Sequence, residues 1–449
     1  MGSRRKPLVG IIHSASSAAT TTGDDLAVYL GVCLQLGGYA DVRIVGFNGS
    51  KTTTTTSTSS TSKSKGASAA AAACAPPHGK FSVVPYGGSK PVHPNHAECC
   101  RDTWESMAKC DMVLVCVDPK DTLACAKALS GVVEKGSDRA IVVFDLGVRN
   151  HSAAEEHLSN HGVVFLSGAV GISVARSPVN GQLQCLGAGS LVVERLTKKQ
   201  SKQGVKFIDL LRSGGIPIRH CKNVTCYTHG VVVFNSIHAV AALAGVPLRD
   251  LLRDRHARLL WAAMIREGLQ VLTRAAGHGD WRAANPCCSA TLPQLELMLC
   301  LPSPLFSLVS HLLLRFPPVL APATQADLAA GRDTNVAWTL EEIVKTADKH
   351  KVAAPVCSTM LSGVKLCVSR GDGVPSTPAD DLPLAKALRS GGSESNLTLQ
   401  LKLTVWSSSM AAGGAALWYI GGPWVAAGGS MLVFFFAFIK YVLVGDIVP

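Results

Sequence analysis

The sequence predicts a Rossmann-like, doubly wound α/β domain, then an all-α domain, then a single C-terminal transmembrane helix. Three observations carry this. Short apolar runs alternate with helix-length stretches through roughly the first half of the chain, as a parallel sheet with crossover helices requires. Between His229 and Gly277, Val231, Phe234, His238, Leu259, Met264, Leu269 and Leu272 recur at helical spacing. Gly245-Val-Pro-Leu breaks this run once, and Gly277 ends it as a C-cap. Finally, no charged residue occurs from Leu403 to Ile439.

A chain of 449 residues has room for two or three domains with cores of their own. Hydrophobic residues make up 47% and charged residues 16%, a balance that leans toward a chain with a membrane segment. The formal net charge of +12 does not indicate nucleic acid. Lys and Arg are scattered, no basic patch is interleaved with aromatics, and the cluster Lys198-Lys199-Gln-Ser-Lys202 reads as a solvated loop. Fifteen cysteines, an odd count without a CxxC, form no disulfide framework. Cys33, Cys116 and Cys367 lie inside apolar runs as small core residues, so a reducing compartment is expected. The N-terminus has no apolar signal region, and Lys6 stands where myristoylation needs Ser or Thr.

In chain order, Pro7–Ile12 reads as a buried strand, Leu26–Leu36 as a helix and Asp41–Gly46 as a strand, the opening of a dinucleotide-binding unit. From about residue 51 to 80 a Thr/Ser tract, an Ala tract and a Pro-Pro turn read as a disordered insertion. Strands follow at Phe81–Val84, Met112–Val117, Ala140–Phe144 and Val163–Leu166, with helices at Asp121–Glu134 and Ala153–Ser159 between them. Short runs from Gly168 to Leu196 suggest antiparallel additions; a helix near Val205–Arg212 and a strand at Ile216–Arg219 close the first domain, residues 1–222. Helices are expected at Leu295–Met298, Phe306–Leu314, Thr339–His350 and Pro355–Val364, within a second domain over 223–370. Residues 371–405 are linker in composition, and 406–449 a membrane anchor. The stretch from Trp418 to Val444 has the length and interfacial aromatics of a bilayer span, and Lys440 lies near enough to its end to snorkel.

The order of residues adds a resemblance. Asn235, then Ala-Leu-Ala-Gly-Val-Pro-Leu, then Glu267 before Ala-Ala-Gly resembles the C-terminal domain of the ketopantoate reductase family. Asp111-Met-Val-Leu-Val-Cys-Val, the turn ending Gly147-Val-Arg-Asn150, Leu301-Pro-Ser-Pro-Leu-Phe306 and Asp327-Leu-Ala-Ala-Gly-Arg-Asp-Thr334 are similar to further motifs of that family, in the same order. The resemblance covers most of 110–370. It implies a Rossmann domain holding NADPH, a substrate cleft against the helical domain, and reduction of a ketoacid with a lysine as general acid.

The sequence also departs from that pattern at each place where chemistry is expected. A Gly-rich turn should follow the first strand so that backbone N–H groups approach the pyrophosphate. Matched through Gly31, its glycine places fall near Thr22, Asp24 and Ala27. Asp24 and Asp25 would sit beside the phosphates, where one unscreened carboxylate costs roughly 1–4 kcal/mol. The alternative is a divergent phosphate loop made by Ser14, Ser16 and Ser17 with Gly23. Phe47 stands where the family has an arginine for the 2′-phosphate, with Lys51 as the substitute. Asp118 replaces a cofactor-side lysine, and Leu146 an asparagine. The catalytic lysine falls on Val231, which has no proton to give, and leaves His229 and then Lys222 as the nearest bases. Asn235 is retained, His238 stands near a second asparagine, Ala323 replaces the serine and Asn335 the glutamate of the substrate clamp.

Two other constellations are weaker. His78, His93, His96, Cys99 and Cys100 are ligand types without a second pair at defined distance, so no metal is expected. Asn48, Asn223 and Asn396 lie in glycosylation triplets that a reducing compartment leaves unused. The expectation is a catalytically degenerate, membrane-anchored accessory subunit of a membrane protein complex, with no cofactor. A mitochondrial inner-membrane assembly of respiratory-chain or ATP-synthase type is its expected setting. The alternatives are an active NADPH-dependent 2-dehydropantoate 2-reductase-like enzyme and a ligand sensor without turnover.

Overall fold

The computed structural model describes residues 6–14, 22–36, 38–47, 83–84, 104–137, 139–145, 149–176, 182–186, 189–194, 208–277, 283–313, 328 and 334–370. The linker and the expected membrane span lie outside the described residues, as does nearly all of the 51–80 insertion and its flank.

The sheet domain opens with β1 (Leu8–Ser14), α1 (Thr22–Leu36) and β2 (Asp41–Phe47). A short β3 (Val83–Val84) and a 3-10 turn (Trp104–Lys109) precede β4 (Met112–Cys116), α2 (Thr122–Ser130), β5 (Ala140–Asp145), α3 (Arg149–Asn160) and β6 (Val164–Val170). Strands β7 (Ser173–Arg176), β8 (Leu183–Leu186) and β9 (Leu191–Glu194) follow, then helix α4 (208–213) and β10 (Ile218–Cys221). The main sheet has seven strands in the order β10-β9-β6-β5-β4-β1-β2. Strands β2, β1, β4, β5 and β6 run parallel, and β9 joins β6 antiparallel. A second sheet, β3-β8-β7, takes in β3, which the sequence placed among the parallel strands and which pairs parallel with β8; of the expected antiparallel additions, β7 and β8 lie here and β9 in the main sheet.

Period-2 alternation explains why the main sheet needs helices on both faces. Ile11, Leu114 and Val142 point into one core, which Leu26, Tyr29, Leu30 and Cys33 of α1 complete. Their neighbours Ile12, Val113, Val115, Ile141 and Val143 point into the other, closed by Cys125 and Leu129 of α2 and Ala154 and Leu158 of α3. The register of β1 against β4 is locked at its start: Leu8 N–H donates to Asp111 Oδ2 at 2.8 Å, and Asp111 N–H donates back to the Leu8 carbonyl.

The helical half begins with α5 (Val224–Phe234), α6 (Ile237–Ala244), a one-turn α7 (Leu248–Leu251) and the long α8 (Arg255–Ala276). It continues with α9 (Leu292–Leu299), α10 (Ser303–Leu313), α11 (Asn335–His350) and α12 (Pro355–Arg370). Several boundaries differ from the sequence reading: the helices expected at Ala153–Ser159, Leu295–Met298 and Pro355–Val364 run over Arg149–Asn160, Leu292–Leu299 and Pro355–Arg370. The helix expected to reach Glu134 stops at Ser130, where Gly131 N–H turns back to the Ala128 carbonyl. The first leg of the hairpin is two helices, interrupted at Asn235-Ser236. Gly245 at the expected break and Gly277 at the expected C-cap both hold φ of +68°. Among the described residues, Val224–Ala244 alone is long and apolar enough to cross a membrane; 72% of its most apolar window is buried inside the protein, as in a core helix.

The helical core centres on Trp261, Met264, Ile265, Leu340, Ile343, Met360 and Val364. Arg258 is buried beside it at 1% exposure. Its guanidinium donates to the carbonyls of Leu252 (2.9 Å), Arg253 (3.3 Å), Leu299 (3.4 Å) and Leu301 (3.3 Å) and to Ser303 Oγ (3.1 Å), and stacks 4.3 Å from the Phe306 ring centroid. It therefore supplies the donors for carbonyls left over where α7 meets α8 and α9 meets α10. Arg258→Ala is expected to lower the unfolding free energy by about 2–4 kcal/mol, because those carbonyls lose their donors inside the protein. Urea denaturation measures this, and a change below about 0.5 kcal/mol would contradict the assigned role.

Candidate functional site

Ligands of open α/β sheets bind beyond the carboxyl ends of the strands, where the strand order reverses. Here that point lies between β1 and β4. The register places Ser14 at the end of β1 level with Phe47 at the end of β2, and His13 level with Cys116 of β4. Ser14 is buried at 1% exposure. Its hydroxyl accepts the Asp118 N–H at 2.8 Å and donates to Asp121 Oδ2 at 3.1 Å. The serine thus ties β1 to the turn that starts α2. Asp118 and Asp25, in the second turn of α1, are also buried, at 4% and 7% exposure. Phe47 is buried too, its ring 5.6 Å from that of Trp104.

Of the other cofactor candidates, Gly23 lies in the first turn of α1, while Ser16, Ser17, Lys51 and Leu146 lie outside the described residues. So do the histidine and cysteine candidates of 78–100. No group of three or more His, Cys, Asp or Glu able to hold a metal occurs among the described residues. Burial pushes the thiols of Cys33 and Cys116 up, to about 11 and about 12.

The second group of candidates sits on α5. Its start is capped by Asn223, whose side chain accepts the Thr225 N–H at 3.0 Å. Val231 is 1% exposed and packs with Ala169 of β6, Val192 of β9, Val224 and partly buried Tyr227 and Cys287. Gly230, one residue before, lies so close to Ala284 that a Cβ would overlap the Ala284 carbonyl oxygen. Asn235 is the C-cap of α5 and its N–H donates to the Val231 carbonyl at 2.8 Å. Lys222 is exposed at the β10–α5 turn. His229 and His238 are pushed down to about 4 by burial, and His238 Nδ1 is buried with no hydrogen-bond partner. Asn335 is the first residue of α11, its side chain outside the described set, and Ala323 lies outside it altogether.

Glu267 belongs to the motif that carries the family resemblance, and its role here is structural. Its two carboxylate oxygens accept the N–H groups of Val356 (2.9 Å) and Cys357 (2.8 Å) at the start of α12. A carboxylate there satisfies two orphan donors and meets the positive end of the helix. Two features of the site were not legible in the sequence. Asp121 was readable only as a helix start, although the spacing Asp118-Pro-Lys-Asp121 after a strand was a usable signal. The contact of residues 283–286 with Gly230 leaves no local signature beyond Asn285-Pro286.

Comparison with known proteins agrees with this architecture. Residues 229–367 match the profile of the ketopantoate reductase PanE/ApbA C-terminal domain. The chain has the fold of the ketopantoate reductases, and its helical half is similar to that family's C-terminal domain. A PanE/ApbA family ketopantoate reductase from Ralstonia eutropha superposes with a TM-score of 0.55 at 17% identity, over 81% of this chain and 99% of that one. A 2-dehydropantoate 2-reductase from Geobacter metallireducens gives 0.53 at 15%, over 80% and 99%. D-mandelate dehydrogenase, in a ternary structure with NADH and anilino(oxo)acetate, gives 0.54 at 13%, over 81% and 99%. At these identities the likeness concerns the fold. No curated protein matches the sequence significantly.

Two predictions follow from this geometry. Ser14→Ala should cost about 1–2 kcal/mol in urea denaturation, because the buried Asp118 N–H loses its acceptor; an unchanged midpoint would remove the bridge from the account. Both histidines titrate near 4 when folded and near 6.5 when unfolded. The unfolded chain therefore binds more protons in between, so this stability is fully present above about pH 6.5 and is lost as pH falls toward 4. His238→Phe should flatten that slope by on the order of 1–3 kcal/mol across the window, and an unaltered pH profile would show that His238 does not titrate there.

Proposed function

We propose that this protein keeps the ketopantoate reductase fold without the reduction and serves as a structural, accessory subunit of a membrane protein complex. The surroundings of Val231 are the observation that supports it most. The resemblance assigns the general acid to this position, and the residue there is an aliphatic side chain enclosed by β6, β9 and Cys287. A proton donor reaching a substrate carbonyl needs an open face and a titratable group, and this position offers neither.

The switch point supports the same reading. A dinucleotide would bring the two negative phosphates of its pyrophosphate to the end of β1 and the start of α1. The described groups at that edge include Ser14, already bonded on both sides, and three acidic residues, Asp25, Asp118 and Asp121, against the exposed Lys120 and the half-buried His13. Phe47 occupies the place where a cation would meet a 2′-phosphate. These residues do not fit NADPH, so no step of a hydride transfer is derived through it. The uncharged C-terminal stretch from about Trp418 to Val444 is read as the element that holds the protein in a bilayer, with a mitochondrial inner-membrane assembly as the setting.

The test is calorimetric titration of the full chain in detergent with NADPH and with NADH. The expected result is no saturable binding up to millimolar cofactor, on protein whose cooperative unfolding shows it to be folded. Saturable binding in the micromolar range would instead favour an active reductase and direct attention to His229 and Lys222.

A further inference from the structure

The short segment between α8 and α9 carries an inference of its own. Residues 283–290 leave the helical half, reach the sheet and return. On one side Ala284 N–H donates to the Cys226 carbonyl of α5 at 3.0 Å. On the other, the Pro286 carbonyl accepts the Ser190 N–H at the entry to β9 at 2.9 Å, and the Ser190 carbonyl accepts Gly171 N–H at 3.1 Å. The segment thus joins α5, the end of β6 and the start of β9 by backbone hydrogen bonds.

Three glycines make room for it. A Cβ on Gly230 would overlap the Ala284 carbonyl, one on Gly171 the Pro286 carbonyl, and one on Gly189 the Gly171 carbonyl. They come from three separate parts of the chain and converge on one crossing, so the close approach is built from both halves. The segment is also braced internally. Asn285 Nδ2 donates to the Ala290 carbonyl at 2.8 Å and to Cys288 Sγ at 3.0 Å, while its Oδ1 accepts the Cys287 N–H at 3.0 Å. Cys287 then completes the apolar cluster around Val231, and Arg219 Nε donates to Ser190 Oγ at 2.7 Å from the neighbouring strand.

We propose that residues 283–290 are a latch that fixes the helical half against the sheet and closes the wall of the interdomain cleft at Val231. Hinge motion between two such halves requires their contacts to slide or part. A strap held by main-chain bonds to both sides, with no side chain at Gly230 to act as a spacer, opposes that motion. The latch does not depend on whether a cofactor binds.

Hydrogen–deuterium exchange of the full chain, read by mass spectrometry, tests this. Gly230→Ala should displace the strap and speed exchange at Ser190 and through 283–290 by at least about tenfold, with the α11 and α12 amides unchanged. Asn285→Ala introduces no overlap and should give the same pattern; it decides the question if Gly230→Ala does not fold. Acceleration at Ser190 in a folded variant, across the domain boundary from the substitution, supports the latch. Unchanged exchange at Ser190, with any acceleration confined to α5 or to 283–290, overturns it.

Discussion

Helix α5 lies against β6 and β9 with no side chain at position 230, and the joint between the two halves of the molecule depends on that approach. A helix normally stands about 10 Å from a sheet or another helix because side chains separate the backbones. Gly230 removes the spacer, so the Ala284 carbonyl comes into direct contact with the α5 backbone. The Ser190 N–H at the entry to β9 then receives the Pro286 carbonyl of the helical half as its acceptor. Main-chain bonds of this kind tolerate less sliding than an interface of side chains. The apolar cluster of Ala169, Val192, Val224 and Val231 fills the remaining space and gains from excluding water as any small core does.

That joint has a consequence for the cleft. In a two-domain enzyme the groups that act on substrate project from the wall between the domains, where water is present until the ligand displaces it. Val231 instead contributes buried apolar area, and a lysine placed there would carry its charge into an apolar cluster. The strand ends tell a parallel story. Helix N-termini and strand C-termini usually leave donors for a phosphate, whereas the Ser14 hydroxyl and Asp118 N–H here are matched to one another and to Asp121.

The doubly wound sheet was legible because its strands are buried on both faces and therefore read as continuous apolar runs, as in Met112–Cys116, where every residue is buried. The long α8 was legible through its spacing and its Gly277 cap; its start at Asp254, whose side chain accepts the His256 N–H at 2.8 Å, came only with the structure. The break at Asn235-Ser236 was not, since both flanking segments are uniformly apolar and the interruption depends on packing against α8 and the sheet. Substituted positions such as Val231 and Phe47 could be located from the sequence through resemblance alone. Their surroundings could not, because Ser190, Ala284 and Gly230 are distant in the chain and meet only in the folded protein. Arg258 was equally hidden: its hydrogen-bond partners lie up to 45 residues away, and an arginine on an amphipathic helix reads as a solvated charge.

The valine at 231 and the closed joint beside it make different demands on the chain. A missing lysine is one substitution that a neutral cleft could tolerate with no change elsewhere. The closed joint needs glycines at 171, 189 and 230 and a strap of matching length between α8 and α9, and none of these stabilises the structure without the others. Gly230 in the interior of α5 is itself unfavourable by roughly 0.5–1 kcal/mol relative to alanine. A glycine that weakens its helix is offset when the contact it permits contributes more, and here that contact is with Ala284 of the strap that goes on to reach the sheet at Ser190. Rigidity between the halves is of little use where a substrate must be admitted and released, and it suits the accessory role proposed above, in which the body would present a fixed surface.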